Sequence, residues 1–149
     1  GAHAVHLGQE DLLALGDDGR AALLDSDLHL GISSHSLWEL CRARTLAPRY
    51  IACGPVWPTL TKAMPWRPQG LHNLAWWRQR AGVPVVAIGG ILQAEQVAQA
   101  AAVGADMVCV VRAIGEAPAQ TVPRLRAALQ RGPGWASPPA PALPLPSLD

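Results

Sequence analysis

The chain has 149 residues, 50% of them hydrophobic and 15% charged, which is enough apolar material for the core of one globular domain. Its 12 Lys and Arg stand against 11 Asp and Glu, and the resulting net charge of +1 excludes both the basic footprint of a nucleic-acid binder and an acidic disordered chain. No run approaches the ~18 apolar residues of a membrane span, and no signal-peptide pattern is legible, so the expected compartment is the cytoplasm.

Taken in chain order, apolar segments alternate with helix-like ones. Residues 4–7 read as a short strand closed by Gly8. The stretch 12–24 has helical character, interrupted by Gly16-Asp17-Asp18-Gly19. Residues 28–33 read as a second strand. Ser36-Leu37-Trp38-Glu39 is a capping box, in which a Ser hydroxyl and a Glu three residues on satisfy each other's free backbone N–H groups; it opens a helix to about Leu46. Residues 50–54 form a third strand, and 71–81 carry Leu74, Trp77 and Arg78 at helical spacing. Residues 83–88 run as a fourth strand into Gly89-Gly90. An Ala-rich helix over 93–103 stops at Gly104. Residues 106–111 are a fifth strand, and Pro118 suits the first turn of a last helix reaching about Gln130.

Several strands are continuous apolar runs, as expected of parallel strands covered on both faces. The βα unit thus repeats about five times, which means a parallel α/β sheet, either open and doubly wound or closed as a barrel. Glycines and polar residues cluster at the strand C-terminal ends. The last two strands end in Gly89-Gly90 and in Val111-Arg112-Ala113-Ile114, matching the phosphate site after strands seven and eight of a barrel. The expected fold is therefore of (β/α)₈ TIM-barrel type, with this chain covering only about the last five βα units. Residues 1–131 would belong to that barrel. Residues 132–149, rich in Pro, Ala and Ser, read as an extended, disordered tail.

Asp11, in Gly8-Gln9-Glu10-Asp11, follows the first strand. A carboxylate there suits Mg2+, which takes hard oxygen ligands, and equally suits a helix N-terminus. Thr59-Leu60-Thr61-Lys62 places two hydroxyls and a cation in one loop, a set that fits a phosphate or pyrophosphate as well as a polar surface loop. Paired glycines at Gly89-Gly90 let backbone approach an anion closely. Arg112 adds a guanidinium at the same rim, or pairs with a neighbouring acid. His35, after Ser33-Ser34, stands at a strand end as an acid, a base or a structural residue. No histidine has metal-ligand spacing. Cys41, Cys53 and Cys109 form no CxxC pair, and each reads as a small buried hydrophobe. The paired Trp76-Trp77 reads as helix core or interface rather than a base-stacking platform.

The series His6-Leu7-Gly8-Gln9-Glu10-Asp11, Gly31-Ile32-Ser33-Ser34-His35-Ser36, Gly54-Pro55-Val56-Trp57-Pro58-Thr59-Leu60-Thr61-Lys62, Ala87-Ile88-Gly89-Gly90-Ile91 and Gly104-Ala105-Asp106 resembles thiamine phosphate synthase in order and spacing over about residues 1–115. The resemblance implies a barrel transferase of thiamine biosynthesis. That family joins hydroxymethylpyrimidine diphosphate to hydroxyethylthiazole phosphate with Mg2+, giving thiamine phosphate and pyrophosphate. By resemblance, Asp11 is a magnesium ligand, and Ser33 and Lys62 are catalytic contacts to pyrophosphate. Thr59, Thr61 and Gly90 contact the thiazole phosphate, and Val111 and Arg112 close that pocket. Arg112 departs from the family, where a small Ser is usual.

The family's Gln-x-Arg-x-Lys and Asn-Asp-Asp motifs, which bind the pyrimidine diphosphate and supply a second metal carboxylate, do not occur here. The chain is expected to be a fragment, inactive alone, whose partners are two small-molecule substrates and the N-terminal part of the barrel; homo-oligomerisation stays open. The alternatives are a related thiazole tautomerase, in which the Gln-Glu-Asp and Thr-x-Thr-Lys patterns are not kept together, and an inactive phosphate-binding half-barrel.

Overall fold

The computed structural model describes residues 1–60, 67–115 and 117–130. Strands β1 (Ala4–Leu7), β2 (His29–Ser34), β3 (Tyr50–Cys53), β4 (Val85–Ile88) and β5 (Met107–Cys109) form one parallel sheet in the order β1-β2-β3-β4-β5. Between and after them lie α1 (Gln9–Ala14), α2 (Gly16–Leu24), α3 (Leu37–Thr45), α4 (Gly70–Arg80), α5 (Ala94–Ala102) and α6 (Pro118–Gln130), with one 3₁₀ turn at Arg112–Ile114.

The strand order has a consequence for the two faces. Each crossover advances one place in the same direction, and parallel crossovers are right-handed, so every helix falls on the same side of the sheet. Burial follows that rule. Leu30, Ile32, Ile51, Val85 and Ala87 are buried among Leu12, Leu40, Leu74, Trp77 and Val97 of the helices. The other face carries His6, Ser33, Tyr50, Val86 and Met107, and it ends in exposed side chains: Met107 is 40% accessible and Cys109 is exposed.

Three local expectations change. The helical stretch 12–24 begins earlier, at Gln9, and is two helices broken at Gly16, whose φ of +65° glycine adopts without a Cβ clash. The fifth strand ends at Cys109 rather than at Val111, because the chain turns there into the 3₁₀ segment. Only Cys53 is a buried cysteine. Cys41 lies on the outward side of α3, and Cys109 lies on the sheet face that none of the described helices covers. Burial pushes the Cys53 thiol up to about 12, so it stays protonated. The tail at 132–149, together with Thr61 and Lys62, lies outside the described residues.

Candidate active site

A cavity of about 660 Å³ opens at the C-terminal ends of the strands, and residues following all five strands line it. It brings together Asp11, Ser33, Thr59, Gly90, Val111 and Arg112, all the sequence-predicted site residues that are described. His35 lines it too.

Asp11 sits in the first turn of α1, a helix anchored by the fully buried Leu12. Its Oδ2 accepts the Gly8 backbone N–H at 2.9 Å. Asp11 is therefore both a helix-terminal acid and a cavity residue. Gln9, only 7% accessible, ties α1 to the end of β2. Its Nε2 donates to the Ser33 carbonyl at 2.9 Å and to Ser34 Oγ at 3.2 Å, and Arg42 Nη1 donates to its Oε1 at 3.4 Å.

Ser33 lies on the uncovered face near the end of β2. His6 Nε2 is 2.8 Å from Ser33 Oγ, and His6 Nδ1 is 3.0 Å from the Tyr50 hydroxyl. The His6 and Tyr50 rings stack with centroids 5.6 Å apart. The protein packed around the imidazole lowers its pKa below the ordinary histidine value, although the side chain keeps contact with solvent. The neutral ring then donates with one nitrogen and accepts with the other, so it joins two hydroxyls in one chain.

The loop after β3 is laced to the end of β4. Val56 N–H donates to the Ile88 carbonyl at 2.9 Å, and Trp57 N–H to the Gly89 carbonyl at 3.1 Å. This lacing places Thr59 beside the Gly89-Gly90 corner. Both glycines have positive φ, +90° and +71°. A Cβ at Gly90 would stand 2.4 Å from the Trp57 carbonyl oxygen and one at Gly89 2.6 Å from Pro55 Cα, so only glycine lets the two loops approach this closely. Val111, 61% accessible, and Arg112 close the far side of the cavity. None of the ion pairs among the described residues involves Arg112.

The capping box expected at Ser36 is half formed. Ser36 Oγ accepts the Glu39 N–H at 3.3 Å. The Glu39 carboxylate turns instead to His35, accepting its backbone N–H at 2.6 Å and its Nδ1 at 3.0 Å. His6, Gln9, Tyr50 and Glu39 were not singled out as site residues from the sequence. Gln9 and His6 lie in the first motif and Glu39 follows the second, but their partners are distant along the chain.

Among the described residues no group of three His, Cys, Asp or Glu side chains is placed to hold a metal ion. The donor set still fits Mg2+ of the kind that takes one or two carboxylates and completes its shell with ligand phosphates and water. Asp11 supplies a hard oxygen at the cavity wall. No described helix is long and apolar enough to cross a membrane.

Comparison with known proteins points the same way. A family model for thiamine monophosphate synthase matches residues 1–114. Thiamine-phosphate synthase of Rhizobium etli is 48% identical over 119 residues, covering 79% of this chain and 56% of that protein. The Yersinia pestis protein of the same name is 50% identical over 117 residues, covering 76% of this chain and 52% of its own. A solved thiamine phosphate pyrophosphorylase from Pyrococcus furiosus superposes with a TM-score of 0.74 at 29% identity, covering 89% of this chain and 62% of that one. The chain thus spans little more than half the length of the curated relatives it matches. On the match over residues 1–114 and the shared fold, the chain belongs to the thiamine monophosphate synthase family.

Proposed function

We propose that this chain carries the thiazole-phosphate side and part of the pyrophosphate site of a thiamine phosphate synthase. The reaction joins hydroxymethylpyrimidine diphosphate to hydroxyethylthiazole phosphate, with release of pyrophosphate. The observation that carries this reading is the single cavity shared by Asp11, Ser33, Thr59 and Gly90, residues that sit in separate motifs and on separate strands. The sequential strand order and the uncovered sheet face suit an arc of a (β/α)₈ barrel whose interior lies on that face.

The chemistry asks for little acid–base machinery at the carbon. Breaking the pyrimidine C–O bond leaves a ring-stabilised cation, and the thiazole nitrogen attacks with no proton to lose. The site must bind two anions and align the nitrogen with the carbon. Ser33, its hydroxyl held by His6, donates to the diphosphate. Lys62 adds a point charge to the same group. Thr59, Thr61 and the Gly90 backbone hold the thiazole phosphate, and Val111 and Arg112 close the pocket over it. Asp11 would hold Mg2+; when bound, the ion neutralises charge developing on the leaving diphosphate.

The remaining strands are a required partner in this reading, because they would close the sheet edges at β1 and β5 and cover the exposed Met107 face. The small-molecule substrates fit a cytoplasmic enzyme. Titration calorimetry of the chain with hydroxyethylthiazole phosphate, and separately with inorganic pyrophosphate and Mg2+, tests the reading. Binding of both ligands supports it. Failure of both to bind would remove the assignment.

A further inference from the structure

Neither Tyr50 nor His6 is among the residues that line the cavity, but both are tied to Ser33, which is. The three stand on adjacent strands, and the register sets Gly31 of β2 between His6 of β1 and Tyr50 of β3. A Cβ on Gly31 would collide with the Tyr50 ring, so the glycine opens the slot through which that ring crosses β2. The Tyr50 hydroxyl then reaches His6 Nδ1 at 3.0 Å, with the two rings 17° from parallel. Packing alone would ask for the ring and not for the hydroxyl.

A neutral imidazole carries one N–H, so its two ends play opposite parts. With the proton on Nδ1, the ring donates to the Tyr50 oxygen, Nε2 accepts the Ser33 O–H, and Ser33 offers the cavity only lone pairs. With the proton on Nε2, Ser33 Oγ accepts it, and the Ser33 hydroxyl proton turns toward the cavity. Nδ1 must then accept, and the Tyr50 O–H is the donor in reach. His6 Nε2 is the one partner of Ser33 Oγ among the described residues, so the ring decides between the two arrangements. The first aims lone pairs at an anion; the second aims a proton at it.

We propose that Tyr50 is a positioning residue whose hydroxyl donates to His6 Nδ1 and so commits the Ser33 hydroxyl to donate to a phosphate oxygen. This rests on the reading of the cavity as a pyrophosphate site. The hydrogen bonds run one way: Tyr50 O–H to Nδ1, Nε2–H to Ser33 Oγ, and Ser33 O–H to the ligand. No proton changes owner. The protein packed around the imidazole disfavours its charged form, and only a neutral ring needs Tyr50 to set its direction, since an imidazolium donates at both nitrogens. The arrangement selects at Ser33 for an unprotonated phosphate oxygen.

Inorganic pyrophosphate with Mg2+ is the probe, bound to the full chain at about pH 8, above the ordinary histidine range, and followed by calorimetry. Tyr50→Phe keeps the ring over Gly31 and removes only the donor. It should weaken pyrophosphate binding about 3- to 10-fold, the worth of one neutral hydrogen bond. Ser33→Ala should weaken binding too, and adding Tyr50→Phe to it should cost nothing more, because Tyr50 acts through that hydroxyl. A merely structural role would cost the same in both backgrounds. Nitrogen NMR of the imidazole, assigned with His6→Gln, reads the tautomer directly: Nε2–H in the wild type with pyrophosphate, shifted toward Nδ1–H by Tyr50→Phe. Unchanged binding in Tyr50→Phe, an equal loss in the Ser33→Ala background, or Nδ1–H in the liganded wild type overturns the role of Tyr50 and leaves the cavity reading intact. A wild-type chain that does not bind pyrophosphate overturns both.

Discussion

His6 on β1 and Ser33 on β2 are diagonal neighbours on one face of the sheet, joined by a 2.8 Å contact between Nε2 and Oγ. The register pairs His6 with Gly31, and Ser33 lies two residues further along, on the same side of the pleat. Tyr50 packs over Gly31 from the other flank and holds His6 by its second nitrogen. A site hydroxyl is thereby oriented by two residues that need not touch a ligand themselves.

That arrangement predicts a pH dependence. The folded pKa of His6 is lowered below the unfolded value of about 6.5, so the unfolded chain binds more protons once the pH falls below that value. His6 therefore stabilises the fold above about pH 6.5, and this contribution is lost as pH falls toward the folded pKa. Thermal unfolding from pH 8 to pH 5 should show a steeper decline for the wild type than for His6→Gln. Parallel declines would mean that His6 is not the titrating group.

Gly90→Ala should damage both fold and site. The new methyl would meet the carbonyl oxygens of Trp57 and Pro58 at 2.4 and 2.5 Å, at a residue with φ of +71°. Carbonyl backbone cannot yield as a side-chain tip does, so the loss of stability should be about 2 kcal/mol or more. Denaturant unfolding measures it, and a loss indistinguishable from zero would show that the two loops are not locked together.

Asp11→Asn should separate ligand chemistry from structure. The Asn side-chain oxygen can still accept the Gly8 N–H, so unfolding should be little changed. In the enzyme completed with the remaining strands, activity should fall on the order of 10²-fold, with a matching loss of magnesium affinity. Wild-type magnesium dependence in this variant would remove Asp11 from the metal site.

Lys62→Ala tests the division of labour in the threonine loop. Steady-state kinetics of the completed enzyme, with each substrate varied in turn, should show a larger loss for the pyrimidine diphosphate than for the thiazole phosphate. Equal losses would mean that Lys62 serves the whole loop.

The sheet was legible because its strands are apolar runs ended by glycine, and the cavity residues were legible because they follow those strands. The face each residue occupies was not. Cys109 reads as core until the strand order places it on the side away from the described helices. The Tyr50–His6–Ser33 chain joins residues 27 and 44 positions apart, which no local pattern expresses. Ser36 and Glu39 have capping spacing in the sequence; only the fold shows that the Glu39 carboxylate accepts from the His35 ring.

The most direct measurement is product formation by halves. The chain would be incubated with both substrates and Mg2+, alone and together with a polypeptide supplying the remaining strands of a family member, and thiamine phosphate and pyrophosphate would be assayed. The account predicts no turnover by the chain alone, because β1 and β5 are the edge strands of the described sheet and the sequence lacks the motifs that the family resemblance assigns to the pyrimidine diphosphate. It predicts turnover when the two polypeptides associate, and its loss with Asp11→Asn. Turnover by the chain alone, or a stable complex of the two polypeptides that forms no thiamine phosphate, would contradict it.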